Sequence, residues 1–235
     1  MMALPKLNES PKFTMKVPST GKRVKYRPYL VKEEKVLMMA AETQDAKATM
    51  LAIADTIDAC CDGQFNKNDL TTFDVEYMFT KIRAKSSGET AKVMLPCESC
   101  STNNEVHIDL EKLEIKVPKV ADTAELSEDI SIELRYPPFT ALLEHDLDDL
   151  TNTQTAFTLA GECIKAVIAD DERIDVQEVS RAEMSEFMES MTSEQFQIIV
   201  QHLSKMPKLE HDVKFKCVSC GEANTQHIEG MQSFF

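Results

Sequence analysis

The sequence contains no tryptophan and only 6% aromatic residues. That scarcity argues against an all-β sandwich and for helical packing, to which the thirteen methionines lend adaptable apolar surface. With six Gly and nine Pro in 235 residues, collagenous and low-complexity architectures are excluded. No stretch approaches the roughly 18 apolar residues of a membrane span. The segment Met1–Leu7 lacks an apolar core of signal-peptide length. Familiar catalytic signatures are missing as well: no Gly-rich phosphate loop, no Gly-x-Ser-x-Gly elbow and no His-Glu-x-x-His. Basic charge is also in deficit. A net charge of −14 opposes a general nucleic-acid-binding surface, which needs a cationic footprint. The exception is residues 1–35, where nine Lys/Arg face three Asp/Glu. There Lys22, Arg23, Lys25 and Arg27 are the candidate partner contacts.

Cysteine is present but not in the pattern of a secreted disulfide framework. The seven residues are odd in number and two are adjacent, Cys60-Cys61. A reducing compartment, with metal rather than disulfide, is the expectation. Two stretches carry it. Residues 93–108 and 213–228 align without a gap at an offset of 120, and Val93, Cys97, Ser99, Cys100, Asn104, His107 and Ile108 each recur in the second copy. Each stretch reads as strand, Cys-x-x-Cys turn, strand. Cys97, Cys100, Cys217 and Cys220 thus supply four thiols, the complement of a closed, tetrahedral, structural zinc. With 116 residues between Cys100 and Cys217, a shared Zn²⁺ would staple distant parts of the chain. The competing reading, two redox pairs, is poor because a strand rather than a helix follows each turn. His107 and His227 read as strand-surface or outer-shell groups, since four thiolates already saturate zinc. Cys60, Cys61 and Cys163 fall in apolar helical stripes and read as core thiols. Ser99, Ser219, Asn104 and Asn224 read as local turn formers.

Along the chain, residues 1–11 read as a lead-in. Phe13–Val17 and Lys22–Tyr26 alternate as the arms of a hairpin about Pro18–Gly21. Helices are expected over Val31–Glu42, after an N-cap at Asp45, and from Leu70 to Ser87. Leu113–Val117 alternates like a strand, residues 119–129 read as an acidic loop, and Ile130–Tyr136 as a strand. Helical patterns follow at 140–150, 152–169, Ser180–Met191 and Ser193–Leu203. Glu144-His145-Asp146 reads as a solvated acidic face rather than an acid–base site, and Asp170–Asp175 lacks the glycine and spacing of a calcium loop. No catalytic residue is assigned. Tyr26-x-Pro28-Tyr29 is echoed by Tyr136-x-Pro138-Phe139, 71 and 81 positions before the matching cysteines. The expected fold is α+β, with two related halves by internal duplication, 1–118 and 119–235, joined by the shared zinc site.

One string adds a resemblance. Pro18-Ser19-Thr20-Gly21-Lys22, Tyr26-Arg27-Pro28, Lys32-Glu33-Glu34-Lys35 and Leu37 are followed by Asp74, Glu76, Phe79, Ile82-Arg83, Ser86, Gly88-Glu89 and the first cysteine pair. In that order they are similar to the baseplate hub assembly proteins of T-even-like contractile-tailed phages. The resemblance implies a late-infection assembly factor, chaperone-like, or a minor hub component, non-catalytic and binding other baseplate hub and tail proteins. It implies a place in the host cytoplasm during assembly, or in the virion tail baseplate. It transfers no catalytic residue. A zinc-ribbon protein associated with nucleic acid or transcription is the alternative, and the charge counts against it.

Overall fold

The computed structural model describes residues 10–118, 123–144, 153–170 and 172–231. The chain forms two compact units. The first comprises residues 1–67, 73–115 and 208–235, and the second residues 68–72 and 116–207. These units do not follow the order of the expected halves, because residues 208–235 belong with the first.

The first unit opens with the hairpin of β1 (Phe13–Lys16) and β2 (Arg23–Tyr26), in register Phe13 to Tyr26. Period-two alternation buries Met15, Val24 and Tyr26 on one face. Helix α1 (Val31–Glu42) and helix α2 (Ala46–Cys60) follow. Asp45 caps α2 by accepting the Lys47 and Ala48 N–H groups, at 2.9 and 3.2 Å. The inward face of α2, Ala52, Ile53, Ile57 and Cys60, is buried. Helix α3 (Thr72–Ser87) buries Phe73, Val75, Met78 and Ile82. It leads through Gly88 into strands β3 (Thr90–Pro96) and β4 (Asn103–Asp109).

In the second unit, β5 (Thr123–Glu125), β6 (Ile130–Leu134), β7 (Ile164–Ala169) and β8 (Glu172–Asp175) form an antiparallel sheet in chain order. Helices α4 (Phe139–Glu144) and α5 (Thr153–Glu162) lie between β6 and β7, and α6 (Arg181–Glu189) and α7 (Ser193–Ser204) follow β8. Capping boxes start the last two, Ser180 with Glu183 and Thr192 with Gln195. Their core gathers Ile132, Leu134, Ala160, Cys163, Ile164, Met188 and Ile199. The chain then returns to the first unit as strands β9 (Glu210–Lys216) and β10 (Ala223–Glu229). The two Cys hairpins share one core, in which Leu95, Ile108, Leu110, Leu113, Leu209, Val213 and Ile228 are buried. Each such side chain contributes on the order of 1.5–3 kcal/mol.

The mixed α and β character matches expectation, with seven α-helices among the described residues. Three expectations fail. The helix expected over 152–169 ends at Glu162, and Ile164–Ala169 is strand β7. Cys163 still fits the helical stripe, but beyond it the β-branched Ile164, Val167 and Ile168 pair with β6. Within the acidic loop expected over 119–129, residues 123–125 form β5 against β6. The alternation of Leu113–Val117 makes no strand, because it finds no ladder partner. Leu113 is instead buried just after a short 3-10 turn at Leu110–Lys112. Residues 145–150 and Asp171, on which parts of the acidic clusters and the 140–150 helix fall, lie outside the described residues.

Candidate metal centre

Each Cys hairpin closes in the same way. The Cys97 N–H donates to the Thr102 carbonyl and Ser101 N–H to the Cys97 carbonyl, at 2.9 and 2.8 Å. In the second copy Cys217 N–H donates to Glu222 and Gly221 N–H to Cys217, at 2.8 and 3.0 Å. The tight turn brings both thiols of each pair to one side. The two turns then face each other, and all four Sγ atoms lie within 4.8 Å of one another. The short separations run between hairpins: Cys97 to Cys220 is 3.7 Å and Cys100 to Cys217 is 3.6 Å. A tetrahedral zinc with Zn–S bonds of about 2.3 Å sets its sulfurs about 3.8 Å apart. The spacing therefore fits a four-thiolate ion. Cys97 and Cys217 are buried, whereas Cys100 and Cys220 reach solvent.

Backbone dipoles prepare the thiolates. The N–H groups of Cys220 and Ser219 pull the Cys217 thiol down to about 6. At Cys97 burial raises the pKa, but the Cys100 and Ser99 N–H groups and the Asn224 amide outweigh it and the net shift is downward. Cys220 accepts the Glu222 N–H yet is pushed up to about 12 by its hydrogen bonds to Cys100, Cys217 and Cys97. A cluster of like charges this close requires a cation to be thiolate throughout. With four sulfurs the coordination shell is complete, so such an ion leaves no position for water activation and supplies structure alone.

Asn104 and Asn224 do more than form turns. Each is buried and reaches across to the other hairpin. Asn224 Oδ1 accepts the Glu98 N–H and Asn104 Oδ1 accepts the Val218 N–H, both at 2.9 Å. Their amide groups donate locally, to Thr102 and to Glu222, and that of Asn224 also reaches across to the Cys97 Sγ at 3.5 Å. The exchange is reciprocal and ties the turn of each hairpin to the asparagine of the other. The recurrence of Asn at equivalent positions was the signal for this, but spacing alone does not separate a local from a cross-hairpin bond. Glu76 was equally illegible. From α3, 133 positions away, its carboxylate accepts the Leu209 N–H at 3.4 Å and also the Met231 N–H at 3.3 Å. It thereby pins both ends of the second hairpin.

The remaining candidates lie apart from the sulfurs. His107 and His227 are exposed and paired with carboxylates on the hairpin surface, Glu105 at 3.2 Å and Asp212 at 2.8 Å. Cys60, Cys61 and Cys163 are core thiols, pushed up by burial to about 11, 12 and 12. Among the four basic candidates, Lys22, Arg23 and Lys25 are exposed. Arg27 is turned inward onto Glu33 at 2.9 Å and the Ala59 carbonyl. Among the described residues, no other group of three or more Cys, His, Asp or Glu converges. No described helix is long and apolar enough to cross a membrane.

The chain is 26% identical over 170 residues to the baseplate hub assembly protein gp26 of Enterobacteria phage T4, covering 72% of this chain and 75% of that protein. No solved structure matches the chain. The model of the T4 bacteriophage base plate protein family matches residues 10–235, almost the full length and including both Cys hairpins, and the chain therefore belongs to that family.

Proposed function

We propose that this protein is a non-catalytic assembly factor or minor structural component of the phage tail baseplate hub, held in shape by a zinc ion on Cys97, Cys100, Cys217 and Cys220. The observation that carries the role is the similarity to a baseplate hub assembly protein across most of both chains. The convergent sulfurs support the metal. In this reading the ion joins two hairpins far apart in sequence and its binding free energy adds to folding. The protein works late in infection, in the host cytoplasm, in a chaperone-like way, through contacts with other hub and tail proteins rather than with nucleic acid. The exposed Lys22, Arg23 and Lys25 offer one contact surface, while Arg27 acts inside its own fold.

An internal duplication is part of the same proposal, and a pair of contacts supports it. Arg27 follows β2, donates its N–H to the Cys60 carbonyl and its guanidinium to Ala59. Arg135 follows β6, donates its N–H to the Cys163 carbonyl and its Nε–H to Glu162. In both cases an arginine after a strand caps the end of a helix at a cysteine.

The test has two arms. Purified protein is assayed for metal and for alkylation of its thiols. One zinc per chain, with the four motif thiols protected until chelation, is expected; iron, or no metal, refutes the zinc. Tagged protein expressed during infection is then isolated with its partners. Recovery of hub proteins is expected, and salt-sensitive recovery of nucleic acid alone would overturn the assembly role.

A further inference from the structure

Helix α1 is amphipathic in an unusual sense, since its outward side is apolar too. Its inward line is Glu33, Leu37 and Ala40, packed toward α2. Glu33 is held there as a carboxylate by Arg27 and by the Leu30 N–H at 2.8 Å. On the opposite side Val31, Lys35, Met38 and Glu42 follow one another at four-, three- and four-residue steps. That spacing sets them in a single stripe along the helix, with Met39 beside it. Val31 is 79% exposed, Met38 61% and Met39 57%. Exposed apolar side chains this concentrated mark an interaction surface, and methionine is suited to one.

The charges on the stripe decide what covers it. Lys35 and Glu42 lie equally far on either side of the point between Met38 and Met39. A second α1 laid antiparallel across the first, with a two-fold axis at that point, sets Lys35 of each copy against Glu42 of the other. The same operation sets Met38 against Met39. Self-complementarity of this kind is what a two-fold interface between identical chains requires. We propose that α1 is a homodimerisation helix, and that its occupant is the α1 of a second copy of this chain. The stripe offers a few hundred Å² of apolar surface, less than the roughly 800 Å² per partner of a standard stable interface. The dimer is therefore a weak one. The inference is independent of the metal and of the baseplate role.

Sedimentation equilibrium of the full chain, from about 1 μM to about 1 mM, tests it. Wild type is expected to pass from monomer to dimer across that range. Met38→Asp is expected to remain monomeric, and Met38→Gln serves as a second variant if the aspartate disturbs folding, which circular dichroism checks. Lys35→Glu and Glu42→Lys should each weaken the dimer about tenfold by placing like charges opposite one another. The double exchange Lys35→Glu with Glu42→Lys should restore it to within about twofold, because the pairing is reinstated with reversed sign. A wild type that stays monomeric throughout overturns the proposal. So does a double exchange no tighter than the single ones, since only a second copy of this surface brings both changes together.

Discussion

The two Cys hairpins are near copies, yet the structure holds them differently. The first, β3–β4, follows α3 after two residues, and its sulfurs are delivered by a chain that has just left the helix. The second, β9–β10, follows residues 116–207, which belong to the second unit. It has no short connection to α3, and the carboxylate of Glu76 takes that place by accepting an N–H from each end of the hairpin. At the tips the hairpins are equal again. Each gives two sulfurs to the cluster and one asparagine to the other's backbone. Turns of the same hydrogen-bonding pattern therefore supply the joint, and Glu76 supplies what distance in sequence denies to the second copy.

Breaking the joint itself has the largest expected effect. Under the proposed zinc ligation Cys217→Ser removes one of four ligands and the metal with it, and the loss of stability should reach about 4 kcal/mol or more. Because the site is symmetric, Cys97→Ser should cost the same within about 1 kcal/mol. Chemical denaturation with metal assayed in parallel measures both. A Cys217→Ser protein that keeps zinc and full stability would falsify the staple. The asparagines come next. Asn224→Ala leaves the Glu98 N–H unpaired and Asn104→Ala leaves that of Val218, each costing about 1–3 kcal/mol. Asn224→Ala should cost the more, because its amide also donates to the Cys97 Sγ at 3.5 Å, and a loss confined to Asn104→Ala would count against the reciprocal tie.

Glu76 tests the asymmetry. Burial raises its pKa, and the N–H groups of Met231 and Leu209 only partly offset this. Its folded pKa therefore lies above its unfolded value. A raised pKa means that the folded state binds the proton more tightly, so this group's contribution is most favourable below the unfolded pKa and is lost as pH rises through the folded one. Many other carboxylates, Glu33 and Asp109 among them, shift downward and oppose it. The comparison must therefore be wild type against Glu76→Gln. The variant should lose relative stability as pH falls from 7 toward 4, and a pH-independent difference would count against the assignment.

Much of this was legible from residues, and the failures have physical causes. The boundaries of α1 are legible because its apolar and acidic positions repeat at helical spacing, and the start of α2 because Asp45 is a good cap. The convergence of the four sulfurs is legible because the two Cys-x-x-Cys turns repeat at one offset within matching strands. Strand β7 is hidden in the sequence because Ala156, Leu159, Ala160 and Cys163 continue a helical stripe up to the residue where it stops. Periodicity does not distinguish a buried helix from a buried strand over so short a run. Long-range polar contacts were invisible for another reason. Glu76 sits on α3 like a surface acid, and only the return of residues 209 and 231 buries it. Asn104 and Asn224 have the chemistry of a turn former and of a cross-hairpin acceptor, so the sequence does not choose between them.

The smallest effect probes a position where the copies differ in the backbone conformations open to them. After the second cysteine of each pair the chain takes a left-handed conformation, at Ser101 with φ 58° and at Gly221 with φ 77°. Glycine adopts it without steric cost, whereas serine does not. A Cβ built on Gly221 meets only the Lys216 Cε, at 3.9 Å, so space is available and the difference is conformational. Ser101→Gly should relieve that strain. The gain is limited, however, because glycine also enlarges the unfolded ensemble. The net stabilisation is expected to be at most about 1 kcal/mol, and Gly221→Ser should cost a similar amount. Both are measurable by denaturation of the purified protein at fixed metal content. If the two exchanges move stability in the same direction, the hairpins are not equivalent at their tips, and the match of Ser101 with Gly221 is one of position and not of backbone energetics.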